Sequence, residues 1–242
     1  MGTDFSNVYD DHARSEAYAK LEFPGTYYLA FRDLPEIIRG HAGGGKALDF
    51  GCGTGRSTRF LRGLGFGVVG VDISEPMLVR ARELDPGGEY RLVPDGDLDG
   101  LEANAYDLVL SAFTFDNIPT RDRKVTLFQS LKRCLKAGGR IVSLVSSPDI
   151  YVNEWASFST KDFPENRNAR CGDKVLIVML DVEDRRPVED IVWTDEGYRD
   201  VYERSGLASI KTYRPLAKTG EGYEWVNETA IAPWVIYVLE RK

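Results

Sequence analysis

The segment Ala47-Leu48-Asp49-Phe50-Gly51-Cys52-Gly53-Thr54-Gly55 carries the most specific chemistry in the chain. A short apolar run flows into glycines at alternate positions, and a helical pattern follows. A strand–turn–helix of this kind brings backbone N–H groups close to a ligand, because glycine accepts positive φ and has no Cβ. The details decide which ligand. The pyrophosphate fingerprint has its third glycine three residues after the second; Arg56 stands there, and the glycine comes early, at Gly55. The loop also lacks the Gly-Lys-Ser/Thr of a triphosphate-binding loop. Asp49 places a carboxylate directly before the glycines. It would repel a pyrophosphate and suits a ligand carrying positive charge, such as a sulfonium and an ammonium.

Further acidic positions fall in register. Val71-Asp72-Ile73 ends the next apolar run, one helix and one strand downstream. A carboxylate there accepts two hydrogen bonds from ribose hydroxyls, and Ile73 is placed to lie against an adenine face. Asp72 has a second reading as a helix cap, since Ser74-Glu75 opens a helical pattern. Pro94-Asp95-Gly96-Asp97-Leu98 follows the third run. Gly96 allows a turn, Asp97 is the candidate for an adenine amino group, and the Leu98 N–H for a ring nitrogen. Asp95 and Asp99 compete for that role. Tyr106 to Ser111 forms a fourth run, with Ser111 at its end under the reacting part of the ligand.

Taken in order, these segments resemble the class I S-adenosylmethionine-dependent methyltransferases. Asp49 to Gly55 match that family's first motif, Val71-Asp72 the second, Gly96-Asp97 the third and Tyr106 to Ser111 the fourth. Leu135-Lys136-Ala137-Gly138-Gly139-Arg140 resembles the turn before its fifth strand. The resemblance covers Lys46 to Leu144. It implies S-adenosylmethionine as cofactor, S-adenosylhomocysteine as product, and a seven-stranded sheet with one reversed strand, for which Trp234–Leu239 is the candidate. Members that methylate nucleic-acid amino groups carry Asn/Asp-Pro-Pro-aromatic after the fourth strand. Ala112-Phe113-Thr114-Phe115-Asp116-Asn117 stands there instead, which points to a small-molecule acceptor.

The elements that must position these residues follow from periodicity. Strands are expected at Lys46–Phe50, Gly67–Asp72, Tyr90–Val93, Asp107–Ser111 and Arg140–Val145. Helices are expected at Gly55–Leu64, Glu75–Leu84 and Arg121–Leu135. This alternation builds right-handed βαβ units, hence an α/β fold: a doubly wound, mostly parallel, Rossmann-like sheet with helices on both faces. Helices at Asp10–Lys20 and Tyr27–His41 precede it, with Pro35 marking a start or break in the second. Strands at Lys174–Asp181 and Val188–Trp193 read as a hairpin inside an insertion over the ligand edge. A helix at Asp195–Ser205 and strands at Ser209–Tyr213 and Trp234–Leu239 complete the pattern. We therefore expect one domain, with an N-terminal helical cap (1–45), a cofactor-binding core (46–145), a lid-like insertion (146–194) and a C-terminal completion of the sheet (195–242).

Composition narrows the function. The chain has 242 residues, a formal net charge of −7 and 29% charged residues, typical of an ordinary globular protein. Its lysines and arginines form no cluster of the kind that neutralises a phosphate backbone, so nucleic acid is not the expected partner. No apolar run reaches membrane-spanning length, and the polar N-terminus reads as neither signal nor transit peptide, which implies no membrane partner and a cytoplasmic location. The cysteines Cys52, Cys134 and Cys171 fit neither a disulfide framework nor a zinc site, and no metal is expected. Acceptor contacts are expected from Tyr28, Trp155 and Phe158, although most aromatic residues simply pack. Arg32 is a candidate partner for the cofactor's carboxylate, or equally a solvated helix arginine. Asp116 is the candidate general base, needed only if the acceptor is a protonated oxygen or nitrogen of high pKa. The expected reaction is methyl transfer to an O or N atom of a small molecule. Two competitors are a protein that binds the same cofactor for other chemistry and a dinucleotide-dependent oxidoreductase, the latter disfavoured by Asp49 and the early third glycine.

Overall fold

A computed structural model describes residues 24–242. The helix expected at Asp10–Lys20 lies outside the described residues. Helices α1 (Gly25–Arg32) and α2 (Leu34–His41) replace the single helix expected over Tyr27–His41. The break falls at Asp33, and Pro35 occupies the first turn of α2, where a missing N–H costs nothing.

The core alternates as its periodicity requires: β1 (Lys46–Phe50), α3 (Arg56–Gly63), β2 (Gly67–Asp72), α4 (Glu75–Leu84), β3 (Glu89–Leu92), β4 (Tyr106–Ala112), α5 (Arg121–Cys134) and β5 (Leu135–Ser146). The insertion carries β6 (Phe158–Ser159), β7 (Lys174–Met179) and β8 (Val188–Ile191); α6 (Asp195–Arg204), β9 (Leu207–Tyr213) and β10 (Trp234–Arg241) close the chain. The main sheet has seven strands in the order β3-β2-β1-β4-β5-β10-β9. β10 is the reversed strand, antiparallel to both β5 and β9. The insertion forms a separate antiparallel sheet, β6-β7-β8. The hairpin was legible from two strand-like runs around the polar turn Glu183-Asp184-Arg185-Arg186, but β6, two residues long, offers no period to read.

Strand order reverses between β1 and β4, so their connections leave on opposite faces and open a crevice at the carboxyl edge. That edge is roofed by α1 and the insertion, which are stitched together. Thr26 N–H donates to Ser157 Oγ (2.8 Å), Ser157 N–H donates to Thr26 Oγ1 (3.0 Å), and Trp234 Nε1 donates to the Thr26 carbonyl (2.8 Å). Gly25, at φ +50°, is required here, because a Cβ would stand 2.4 Å from Ser157 Oγ. The buried Glu228 carboxylate joins the three segments, accepting from Thr26 Oγ1 (2.7 Å), Ala156 N–H (2.7 Å), Val226 N–H (2.8 Å) and Asn227 N–H (3.1 Å). Glu228→Ala should therefore strand several buried donors and lower stability by about 3 kcal/mol, a fall in Tm of about 10 °C. Glu228→Gln, which keeps one acceptor, should lose less. Thermal unfolding of the two variants side by side checks this, and equal midpoints for alanine and wild type would contradict it.

Candidate active site

Two adjoining cavities lie at the crevice. The first encloses about 880 Å³, open solvent included, and is lined by Gly51, Gly53, Asp72, Ile73 and Gly96 among the expected residues. Val71, Met77, Val93, Ile118 and Leu127 add an apolar slot. Its size suits a nucleoside-sized ligand.

The glycine loop explains itself position by position. Gly51 (φ +74°) has no room for a Cβ, which would stand 2.0 Å from Thr114 Oγ1; that hydroxyl donates to the Phe50 carbonyl at 2.9 Å. Gly53 (φ +52°) meets nothing within 4 Å, leaving an open cradle beside the cavity. Gly55 (φ +80°) instead enters α3 and packs on Tyr90, whose hydroxyl would lie 2.5 Å from a Cβ. It does not line the cavity. The Asp72 carboxylate links two turns: Oδ2 accepts from Gly53 N–H (2.8 Å) and Oδ1 from Ser74 N–H (2.9 Å).

Asp49 is fully buried and does not reach the cavity. Ser57 Oγ and Thr58 Oγ1, on the first turn of α3, both donate to its Oδ2 at 2.6 Å, while Oδ1 has no hydrogen-bond partner among the described residues. Burial pushes its pKa up to about 6, against the pull of the two hydroxyls. Its contribution is a negative charge held beneath the loop and a fixed start to α3, rather than direct contact with a ligand.

Other expected residues also stand back. Asp97 is exposed, and its Oδ1 accepts from Asp99 N–H (2.8 Å), an ordinary Asx turn. Leu98 and Ser111 are buried outside the cavity lining. Arg32 is committed elsewhere: it pairs side by side with Asp33 at 2.8 Å and with Glu221 at 2.7 Å. Its short range places it on the C-terminal turn of α1, facing the loop that holds Glu221.

The second cavity, about 450 Å³ with open solvent included, is lined by Tyr27, Phe113, Phe158, Trp234, Met179 and Ile177 together with Asp116, Asp190 and Tyr151. Phe113 and Asn117 line both cavities, so the two share a wall. Phe113 has φ +64°, a left-handed conformation that costs a bulky residue energy and that its packing on Trp234 (ring centroids 4.8 Å apart) helps to hold. Of the expected acceptor contacts, Phe158 lines this cavity. Trp155 lies behind its wall, donating from Nε1 to the Ile150 carbonyl, and Tyr28 packs on Tyr223. The neighbouring Tyr27 faces inward instead, and the Arg56 guanidinium, 5.4 Å from its ring, ties it to the start of α3.

Asp116 is buried at the second cavity's inner wall. Its carboxylate accepts from Ser146 N–H (3.0 and 3.2 Å) and from the Tyr198 hydroxyl (3.4 Å). Asp190, on β8, accepts from the Tyr151 hydroxyl at 3.1 Å. Lys124, on α5, is completely buried, donates to the Phe115 carbonyl, and lies 4.9 Å from the Trp193 ring. Desolvation raises both carboxyls and lowers the ammonium; the charge of Asp116 raises Asp190 further, and attraction between Lys124 and the carboxylates opposes these shifts. Sequence reading missed Asp190, Tyr151 and Lys124. Lys124 had a signal, since it occupies the same helical face as Leu127, Phe128 and Leu131, where a charge should not fall.

The residues present fit an adenosyl ligand with a cationic tail. The buried unpartnered oxygen of Asp49 leaves negative potential under the loop, Gly53 leaves space, and Ile73, Met77 and Leu127 offer a flat apolar slot. Fold and site together define an α/β protein with a nucleoside-sized crevice at the strand ends and an adjoining aromatic cavity. Residues 48–143 match the methyltransferase-domain family. The chain is 27% identical over 215 residues to N-demethylindolmycin N-methyltransferase of Streptomyces griseus, covering 87% of this chain and 90% of that one. It is 30% identical over 146 residues to an uncharacterised methyltransferase of Geobacillus sp., covering 59% of this chain and 67% of that protein. Among solved structures, the fold matches the CcbJ methyltransferase of Streptomyces caelestis with TM-score 0.64 at 18% identity, over 92% of this chain and all of the other. A methyltransferase of Mesorhizobium loti matches with TM-score 0.63 at 22% identity, over 88% and 98%. The chain belongs to the class I S-adenosylmethionine-dependent methyltransferases and is an enzyme.

The two glycines should separate experimentally. Gly51→Ala, which forces Thr114 away, should weaken S-adenosylhomocysteine binding and lower Tm together. Gly53→Ala adds a methyl only beside the cavity and about 1 kcal/mol of backbone strain, so it should weaken binding about tenfold while the fold survives. Calorimetry and thermal unfolding on both variants check this; unchanged affinity in Gly53→Ala would remove the loop from the site.

Proposed function

We propose that this enzyme transfers the methyl group of S-adenosylmethionine to an oxygen or nitrogen atom of a small-molecule acceptor held in the second cavity. The observation that carries this reading is the shared wall: Phe113 and Asn117 border both chambers, so ligands in the two would meet there. The chamber is lined largely by aromatic and aliphatic side chains with a few polar groups, the usual character of a small-molecule site. The net charge of −7 favours neither nucleic acid nor an anionic surface as partner. The relative from Streptomyces griseus bears the name of an enzyme acting on a small molecule, which supports the same class.

Gly51, Gly53, Asp72, Ile73 and Gly96 would hold the cofactor, with Asp49 and Gly55 shaping the loop from behind. Bound there, S-adenosylmethionine supplies a methyl group on a positively charged sulfur leaving group. Asp72 would orient the ribose, and the apolar slot would take the adenine. Tyr27, Phe158 and Trp234 would exclude water from the acceptor and align it. Asp116 would accept a proton from the acceptor where one must leave.

The purified protein should bind S-adenosylhomocysteine and neither NAD nor ATP in calorimetry; tighter binding of NAD would overturn the reading. With an acceptor in hand, Phe158→Ala should raise its KM about tenfold and leave the S-adenosylhomocysteine dissociation constant nearly unchanged. Equal losses on both ligands would place Phe158 outside the acceptor chamber.

A further inference from the structure

Two carboxyls, Asp116 and Asp190, line one small aromatic chamber, an arrangement that needs a reason. They come from separate parts of the chain, the turn after β4 and strand β8, so no single local motif places them together. The charged and titratable groups around them can be named element by element. Lys124 on α5 acts on both carboxyls, Tyr198 on α6 donates to Asp116, Tyr151 after β5 donates to Asp190, and Glu189 lies beside Asp190 on β8. Cys171 and both carboxyls face Lys124.

Lys124 can balance only one of the two carboxylates; burial and the charge of Asp116 hold the Asp190 carboxyl up at about 8, so its ionisation near neutral pH waits on a second positive charge in the chamber. The aromatic rings of Tyr27, Phe113, Phe158 and Trp234 also favour a cation over an anion, through the negative faces of their π systems. A neutral hydroxyl acceptor would give the second carboxyl no reason to ionise, and an ionised carboxylic acid would add a further negative charge beside Asp116.

We infer that the acceptor is an amine, bound as its ammonium between the Asp116 and Asp190 carboxyls and deprotonated by that pair before it is methylated. The inference rests on the methyltransferase reading of the first chamber and deepens it. An ammonium has no lone pair and cannot attack carbon. One proton passes from the nitrogen to the carboxylate pair, which thereby holds one shared proton; the freed lone pair forms the N–C bond while the C–S bonding pair leaves with sulfur. The product nitrogen, now bearing the methyl group, carries the positive charge that the sulfur gave up. Burial raises both carboxyls, Asp116 to about 6 and Asp190, with the added charge of Asp116, to about 8, which brings them closer to the basicity that proton acceptance from an ammonium requires. Tyr151 and Tyr198 hold the two carboxyls in place from behind.

The experiment uses the full chain loaded with S-adenosylhomocysteine and two matched probe pairs, tryptamine against tryptophol and phenethylamine against phenethyl alcohol. Calorimetry should show each amine binding at least about tenfold more tightly than its alcohol. Amine affinity should rise from about pH 6 to about pH 8.5, because the carboxyls shed protons and Lys124 begins to lose its own, and every such step makes the chamber more negative. Asp190→Asn should remove most of the amine preference and flatten the pH response, with S-adenosylhomocysteine affinity within about twofold of wild type. Alcohols binding as well as amines, no amine binding, or an amine preference untouched in Asp190→Asn would each overturn the inference while leaving the cofactor site standing. Failure of S-adenosylhomocysteine to bind the wild type would instead strike the methyltransferase reading. Should Asp190→Asn not fold, the amine-to-alcohol ratio of the wild type and its rise with pH decide the matter alone.

Discussion

Asp49 gives up its hydration to sit at the end of β1, under the glycine loop, and two short hydrogen bonds from Ser57 and Thr58 offset part of that cost. Those hydroxyls belong to the first turn of α3, so the same contact that holds the carboxylate fixes where the helix begins. The helix start fixes the loop, since Gly55 must be left-handed to enter it and Gly51 must pass close to Thr114. Thr114 opens the turn that carries Asp116, and that turn lies between the two chambers. A buried carboxylate on one strand thus sets the spacing between the glycine loop and the wall shared by the two cavities. Its ionised form is the costly one. A folded-state pKa raised to about 6 means that the stability present below pH 4 declines as pH rises through 6. The fold accepts that loss in exchange for negative potential beneath the loop.

The two chambers are built by different means. The first relies on backbone: glycine N–H groups, strand ends and a carboxylate that links two turns. Its requirements are local and recur in order along the chain, which is why a family shares them. The second is assembled from side chains far apart in sequence, with Tyr27 from α1, Phe158, Met179 and Asp190 from the insertion, and Trp234 from β10. Glu228, Thr26 and Ser157 keep those pieces in contact. Variation in the insertion can therefore reshape the second cavity while the first stays intact.

This division also explains what was legible in the sequence. β1, β2 and α4 coincide with their expected bounds, because each is a short periodic run with clear punctuation. The glycines and Asp72 could be placed by spacing alone. Within the same motifs, spacing does not show a residue's direction: Asp49 and Gly55 turn toward α3 and Tyr90, and Asp97 turns to its own loop. At the acceptor end, the aromatic types were visible but their facing was not. Tyr27 and Tyr28 are adjacent on α1, a helical step of 100°, so one faces the chamber and the other Tyr223. Asp190 sits in a four-residue strand whose two acidic residues are adjacent, and only tertiary packing brings β8 onto the turn that carries Asp116.

Lys124 bears on why the charges are there at all. A buried ammonium with two carboxyls nearby is an expensive way to fill space, and a well-packed apolar substitute is commonly as stable or more so. Fold stability does not account for the cluster. Methyl transfer itself asks for little besides alignment and a dry chamber, and dryness alone would be served better by hydrocarbon. What a hydrocarbon wall cannot do is hold a cation and take a proton from it. Lys124 lies behind the pair, donating to the Phe115 carbonyl, while Asp116 and Asp190 face the chamber. It allows at least one of the two to remain ionised before a ligand arrives, and leaves the second dependent on the ligand's own charge. The cluster can thus answer a cation by ionising its second carboxyl, which is the electrostatic form of complementarity to the cationic acceptor inferred above.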